Sequence, residues 1–197
     1  MDIRHFERAE RHRAHCHTKL TALRSAKNFA AAADFWSELL MEQQRWFTRM
    51  QQAFSKGPSS AWFGKIKASR KSDPFLVYMH HARHADEHGL EDIASQESGW
   101  IGIGGGGDVA ITNISLRDGV LRIEGEEDGG LLKVEFVPAH LKLHIVENRG
   151  VSYHPPLVPS AHHANQMKNA TAIEAGEFLL KFIDTTSAEG KKFFHAS

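Results

Sequence analysis

At 197 residues, with 41% hydrophobic and 24% charged side chains, the chain is long enough for one sizeable core or two smaller units, and its composition is that of an ordinary globular protein. It contains no apolar run of about 18 residues, which leaves no stretch suited to a membrane-spanning helix. Cys16 is its only cysteine, which excludes an intrachain disulfide and fits a reducing, cytoplasmic setting. The start, Met1-Asp2-Ile3-Arg4-His5, has no apolar signal segment, so no secretory leader is expected. A net charge of zero hides an asymmetry. Residues 1–72 hold 14 Lys and Arg against 6 Asp and Glu, while residues 73–197 hold 10 against 18. A basic half attracts nucleic acid; two opposite halves equally attract each other, or a second copy of the chain.

The first hundred residues read as helix, with no proline before Pro58 and many Ala, Leu, Glu, Gln, Arg and Lys. One helix is expected from about Asp2 to Ser25, its early half crowded with Arg11, His12, Arg13, His15 and His17. A second is expected from about Asn28 to Phe54. There Phe35, Trp36, Leu39, Leu40, Trp46, Phe47, Met50 and Phe54 recur at spacings of three and four, as a buried helix face requires. Gly57-Pro58-Ser59-Ser60 ends it. A shorter helix with Trp62, Phe63 and Ile66 carries the basic run Lys65, Lys67, Arg70 and Lys71. Asp73 then suits an N-cap and Pro74 a first turn, opening a helix through His88 with Gly89 as its terminator.

From Gly99 the pattern changes. Gly102 and Gly104–Gly107 read as a flexible joint; they also satisfy G-x-G-x-x-G, but a nucleotide fingerprint needs a strand before it and a helix after it. Alternating runs follow at Val109–Leu116, Val120–Glu126, Leu131–Val137 and Leu141–Glu147, with breaks such as Asp128-Gly129-Gly130 and Pro138-Ala139-His140 between them, and a short strand near Val151–Tyr153 after Gly150. This predicts an antiparallel meander with one apolar face. Residues from His154 to Asn169 read as loop. Thr171-Ala172-Ile173-Glu174 has capping-box spacing, and Ile173, Leu179, Leu180, Phe182 and Ile183 give the closing helix its stripe. The fold expected is α+β: a helical domain over 1–97, then over 98–197 an antiparallel β unit with a closing helix able to pack onto the bundle.

Residues 80–88 concentrate the chemistry, and three readings of them stand side by side. First, Arg83 and His88 form R-x4-H, with His84 next to the arginine. Ala82-Arg83-His84-Ala85-Asp86-Glu87-His88-Gly89 in an aromatic-rich helical domain resembles the HEPN family. That resemblance covers roughly residues 1–95, and the β segment is outside it. It implies a helical bundle, a homodimer in which two motifs meet, and metal-independent RNA cleavage with no cofactor. It also implies the setting of a toxin or antiphage effector restrained by an antitoxin or other regulatory protein. Arg83 and His88 lie about 140° apart around an ideal helix, so they converge on one phosphate only if the helix is locally distorted or a second chain brings its own pair; the resemblance implies the latter. In this chemistry His88 moves a proton, Arg83 holds the phosphate, His84 supports them, and Lys65, Lys67, Arg70 and Lys71 follow the RNA backbone. Second, His80, His84 and His88 form one helical stripe, and His84-Ala85-Asp86-Glu87-His88 fits H-x-x-E-H, so these residues suit a metal site or a zinc hydrolase with Glu87 activating water. Third, the segment is a solvated helix end, with Arg83 paired to Asp86 or Glu87 and the helical half serving as a non-catalytic interaction or RNA-binding module.

Outside this segment, His12, His15, Cys16 and His17 suit either a soft metal site or plain polar surface. His154, His162 and His163 sit in a proline-containing loop, and Trp36, Trp46 and Trp62 read as core. Ser59, Ser60 and Ser160 lie in no nucleophile elbow.

Overall fold

The computed structural model describes residues 1–88, 92–104, 109–117, 120–127, 133–137, 139–155 and 171–195. The side chains of His88, of residues 100–104 and of most of the strands between 109 and 137 lie outside that description, as do Gly89, Gly105–Gly107, the break at 128–130, Pro138, and the loop with Ser160, His162 and His163. The protein is α+β, as expected, and the chain divides into two compact units, residues 1–96 with 141–197, and residues 97–140.

In the larger unit, α1 (Ile3–Arg24) and α2 (Phe29–Ala53) form a helical hairpin. Asp2 caps α1 by accepting the Arg4 backbone N–H at 3.0 Å, and Asn28 caps α2 through Ala31 N–H at 2.9 Å. The spacing of apolar residues on α2 does what it predicts: Trp36, Leu39, Leu40, Trp46, Phe47 and Met50 are buried. Then come α3 (Ser59–Ser72) and α4 (Pro74–His88). Asp73 opens α4 by accepting the N–H groups of Phe75 and Leu76 at 3.0 and 3.1 Å, and Pro74 occupies the first turn, where a missing N–H costs nothing.

The closing helix, α5 (Ala172–His195), packs along α1 and α2. Thr171 caps it through the Glu174 N–H at 3.2 Å. Two glycines let it approach closely. A Cβ at Gly176 would sit 2.7 Å from the Leu20 side chain, and one at Gly190 would sit 3.0 Å from the Phe54 ring. Phe54 is the hub of an aromatic cluster, with ring centroids 5.0 Å from Trp62, 5.5 Å from Phe194 and 5.8 Å from Phe6. Opposite charges also meet here. Arg13 and His17 reach Asp184 at 3.0 and 2.9 Å, and Arg24 reaches Glu177 at 2.6 Å, so basic α1 faces acidic α5. Attraction between the two charge halves is thus realised within one chain.

The strands are β1 (Ala94–Glu97), β2 (Trp100–Gly104), β3 (Val109–Arg117), β4 (Val120–Glu127), β5 (Lys133–Val137), β6 (His140–Leu143), β7 (Val146–Asn148) and β8 (Val151–Tyr153). They pair two by two, and the first three pairs nest: β3 with β4, β2 with β5, β1 with β6. The expected sequence of neighbours along a meander gives way to this nesting, and Gly102 and Gly104, expected in a joint, belong to β2. Thr112 bulges between Ile111 and Asn113, its hydroxyl donating to the Glu124 carbonyl at 3.1 Å. The expected strand Leu141–Glu147 is interrupted at His144 and Ile145. There the His144 carbonyl turns to accept the Tyr78 hydroxyl at 2.8 Å, and its N–H donates to the Ile93 carbonyl at 3.0 Å. The β7–β8 hairpin turns on Arg149 and Gly150, with φ of 53° and 75°, the two positive values of a tight two-residue turn. This hairpin packs against α4 within the larger unit.

Candidate functional site

A cleft of about 480 Å³ opens beside α3 and α4. Lys67, Arg70 and Lys71 reach it from the end of α3, Val77, His80 and His81 from α4, Phe47 and Gln51 from α2, and Tyr153 from β8. Three of the four residues of the basic run are there because α3 is amphipathic. Phe63 and Ile66 turn inward, and Lys67 and Lys71 turn out into solvent.

Arg70 is the rigid member. Its guanidinium lies 4.0 Å from the centre of the Phe47 ring, and its Nη2 donates to Gln44 Oε1 and, at 3.1 Å, to His80 Nδ1. Burial, helped by the neighbouring charge of Arg83, lowers its pKa to about 10, which still leaves it cationic at neutral pH. Burial and then Arg70 press His80 down to about 4, with His81, Arg83 and His84 adding to the effect. His80 is therefore a neutral imidazole that accepts at Nδ1 and carries its proton at Nε2. His81 stacks on Tyr153 with centroids 3.6 Å apart, and its Nδ1 accepts from Asn148 Nδ2 at 2.9 Å. Burial, with His84 adding to it, lowers its pKa as well. Fixed cations, neutral imidazoles and an aromatic face thus line one opening. That set suits a phosphate-bearing ligand.

Arg83 and His84 lie further along α4 and do not line this cleft, and the side chain of His88 lies outside the described residues. Arg83 pairs through Nη1 with Glu87, one turn on, and its buried Nε has no hydrogen-bond partner among the described residues. Asp86 accepts from Ser37 Oγ. The His84 ring stands 6.5 Å from that of His80, centroid to centroid and nearly perpendicular. Lys65 is exposed on α3 outside the cleft. The structure therefore gathers Lys67, Arg70 and Lys71 with His80 and His81, not with Arg83 and His84. Sequence reading overlooked His81, Asn148 and Tyr153. The doubled histidine was a signal for His81, whereas no pattern in the sequence brings a hairpin seventy residues away onto α4.

A second cluster joins α1 to α2. His12 Nδ1 and His15 Nδ1 approach the same oxygen, Glu42 Oε2, at 2.7 and 3.4 Å, while Arg45 Nη1 holds the other oxygen, Oε1, at 2.5 Å. Burial alone would raise the Glu42 pKa, but hydrogen bonds from His12 and Arg45 outweigh it and hold the carboxyl below its usual range. His17 turns away to Asp184. Cys16 faces the core, where burial pushes its thiol up, with Glu42 and Asp184 adding to the effect, so it is an inert thiol. Among the described residues no helix is long and apolar enough to cross a membrane. No family model, curated protein or solved structure matches the chain, and its two clusters are understood from their own residues.

Proposed function

We propose that the chain binds RNA in the cleft beside α3 and α4 and cleaves it without a metal, as a HEPN-like endoribonuclease. The observation that carries this reading is the meeting of Lys67, Arg70 and Lys71 with two neutral imidazoles and Tyr153 in one opening. The lysines follow the phosphates, Arg70 arrives already ordered by its stacking, and the Tyr153 ring offers a surface to a base. Cleavage is assigned to the motif further along the same helix. The ribose 2′-hydroxyl attacks the adjacent phosphorus and its oxygen to the next nucleotide leaves. His88 moves the proton, Arg83 stabilises the charge on the phosphate, and His84 supports them. Arg83 has to leave Glu87 to do so. The reading entails a homodimer that brings two motifs together, a restraining antitoxin or regulatory protein, and a cytoplasmic location where RNA is found.

The Arg83–Glu87 pair favours a second reading, an RNA-binding module without cleavage. Occupation of Glu87 by Arg83 also weighs against a zinc hydrolase built on His84, Glu87 and His88. One experiment separates them: labelled single-stranded RNA is incubated with the protein in excess chelator, and binding is measured beside it across a salt series. Cleavage is expected, lost by about 100-fold or more in Arg83→Ala and His88→Ala with RNA affinity retained. Lys67→Ala and Lys71→Ala are expected to weaken binding and each to lower the salt slope by about 1. Salt-dependent binding without cleavage selects the module. Absence of binding overturns both readings.

A further inference from the structure

We propose that His12, His15 and Glu42 form a binding site for one first-row divalent cation of the zinc class, clipping α1 to α2. The three ligand atoms lie within 4.8 Å of one another. Two imidazoles one helical turn apart aim their Nδ1 atoms at a single oxygen of a carboxylate that is only 7% exposed. Two neutral imidazoles and a carboxylate are the donor set that zinc and its neighbours prefer over calcium or magnesium.

The geometry needs little change. Ligand bonds of about 2.0–2.1 Å around a tetrahedral ion put donor atoms about 3.4 Å apart. His15 already stands at 3.4 Å from Glu42 Oε2, and His12, at 2.7 Å, has only to draw back by rotating its ring. On binding, each neutral imidazole gives its Nδ1 lone pair to the ion and carries its single proton on Nε2, so the hydrogen bond to Oε2 is exchanged for a shared ligand bond with no net loss of a proton. Arg45 stays on Oε1, fixing the carboxylate as a one-oxygen ligand and orienting it, the part an outer partner plays in metal sites. The open side faces a cleft of about 490 Å³ lined also by Ser37, Glu38 and Met41, which leaves the fourth position to water. That cleft shares no lining residue with the one beside α3 and α4, so the site stands whether or not the chain cuts RNA.

The test is a Co²⁺ titration of the untagged chain after chelator treatment, followed by its visible absorption, with Zn²⁺ as competitor. Wild type is expected to take up a single equivalent, to lose the bands to Zn²⁺ and to gain thermal stability with either ion. His15→Ala removes a half-exposed side chain and is expected to keep its helical circular dichroism while affinity falls by at least about 100-fold. Glu42→Gln is expected to do the same. His84→Ala is expected to bind as wild type does. No saturable uptake by folded wild type overturns the proposal, leaving a hydrogen-bonded network between helices. Loss of uptake in His84→Ala with retention in His15→Ala also overturns it and moves the ion to α4.

Discussion

His80 shows how a residue's chemistry is fixed by what is folded against it. Its helix carries four histidines between positions 80 and 88, all of which would titrate near neutrality in an unfolded chain. Folding half-buries His80 beside Arg70 and lowers its pKa to about 4. Protonation then favours the unfolded chain, which takes up protons from about pH 6.5 downward while the native His80 does not until about pH 4. Stability is therefore expected to fall as pH drops through that window, with this contribution levelling off below it. His80→Gln keeps an acceptor for Arg70 and removes the titration. Its urea-unfolding midpoint is expected to decline less steeply between about pH 7 and about pH 4 than that of wild type, the remaining slope coming in part from His81, which shifts the same way. Identical slopes would mean that His80 is solvated. A bound phosphate would oppose the fields of Arg70 and Arg83, so RNA binding in the cleft is expected to raise the His80 pKa.

Helix ends were the most legible elements, because a cap is a local bargain between one side chain and nearby N–H groups. Asp73 with Pro74, Asn28 and Thr171 all start helices as their residue types predict. Asp73 is buried and satisfies two N–H groups, so Asp73→Ala is expected to cost about 1–2 kcal/mol in urea denaturation, while Asp73→Asn retains most of the cap. A loss below about 0.5 kcal/mol would show that packing alone holds α4 in register. Strands were legible in their alternation and not in their pairing. Leu141 and Leu143 are buried with Lys142 exposed between them, as the pattern predicts. Yet alternation says nothing about which neighbour supplies the hydrogen bonds, and the polar Ala94–Glu97 is a strand only because β6 lies beside it.

At the scale of the whole molecule, the nested ladder sets a testable boundary. β1 and β6 bring Glu97 and His140 together, 3.3 Å apart at their side chains, so the smaller unit leaves and re-enters the chain at nearly one point. Replacing residues 98–139 with an Asn-Gly turn is expected to close that hairpin and leave the larger unit folded, with its helical circular dichroism and a single cooperative thermal transition. Collapse of the helical signal would show that the smaller unit is required for the core. The same variant is expected to bind RNA as the full chain does, since every residue lining the cleft beside α3 and α4 belongs to the larger unit.

The sequence by itself determined the class of the fold, the helix starts, the buried face of α2 and the histidine-rich character of α4. Each rests on interactions within a few residues, or on a periodicity that burial imposes on any chain. Only the tertiary structure decided which of those histidines stand together. Arg70 reaches His80 because Phe47 of α2 carries it, His81 meets Tyr153 because β7 and β8 fold back onto α4, and Glu42 joins His12 and His15 across a helical hairpin. Phe47 and Arg70 stand 23 residues apart in the chain, His12 and Glu42 30, and His81 and Tyr153 72. No local spacing encodes such distances, because they depend on which apolar faces find each other in the core.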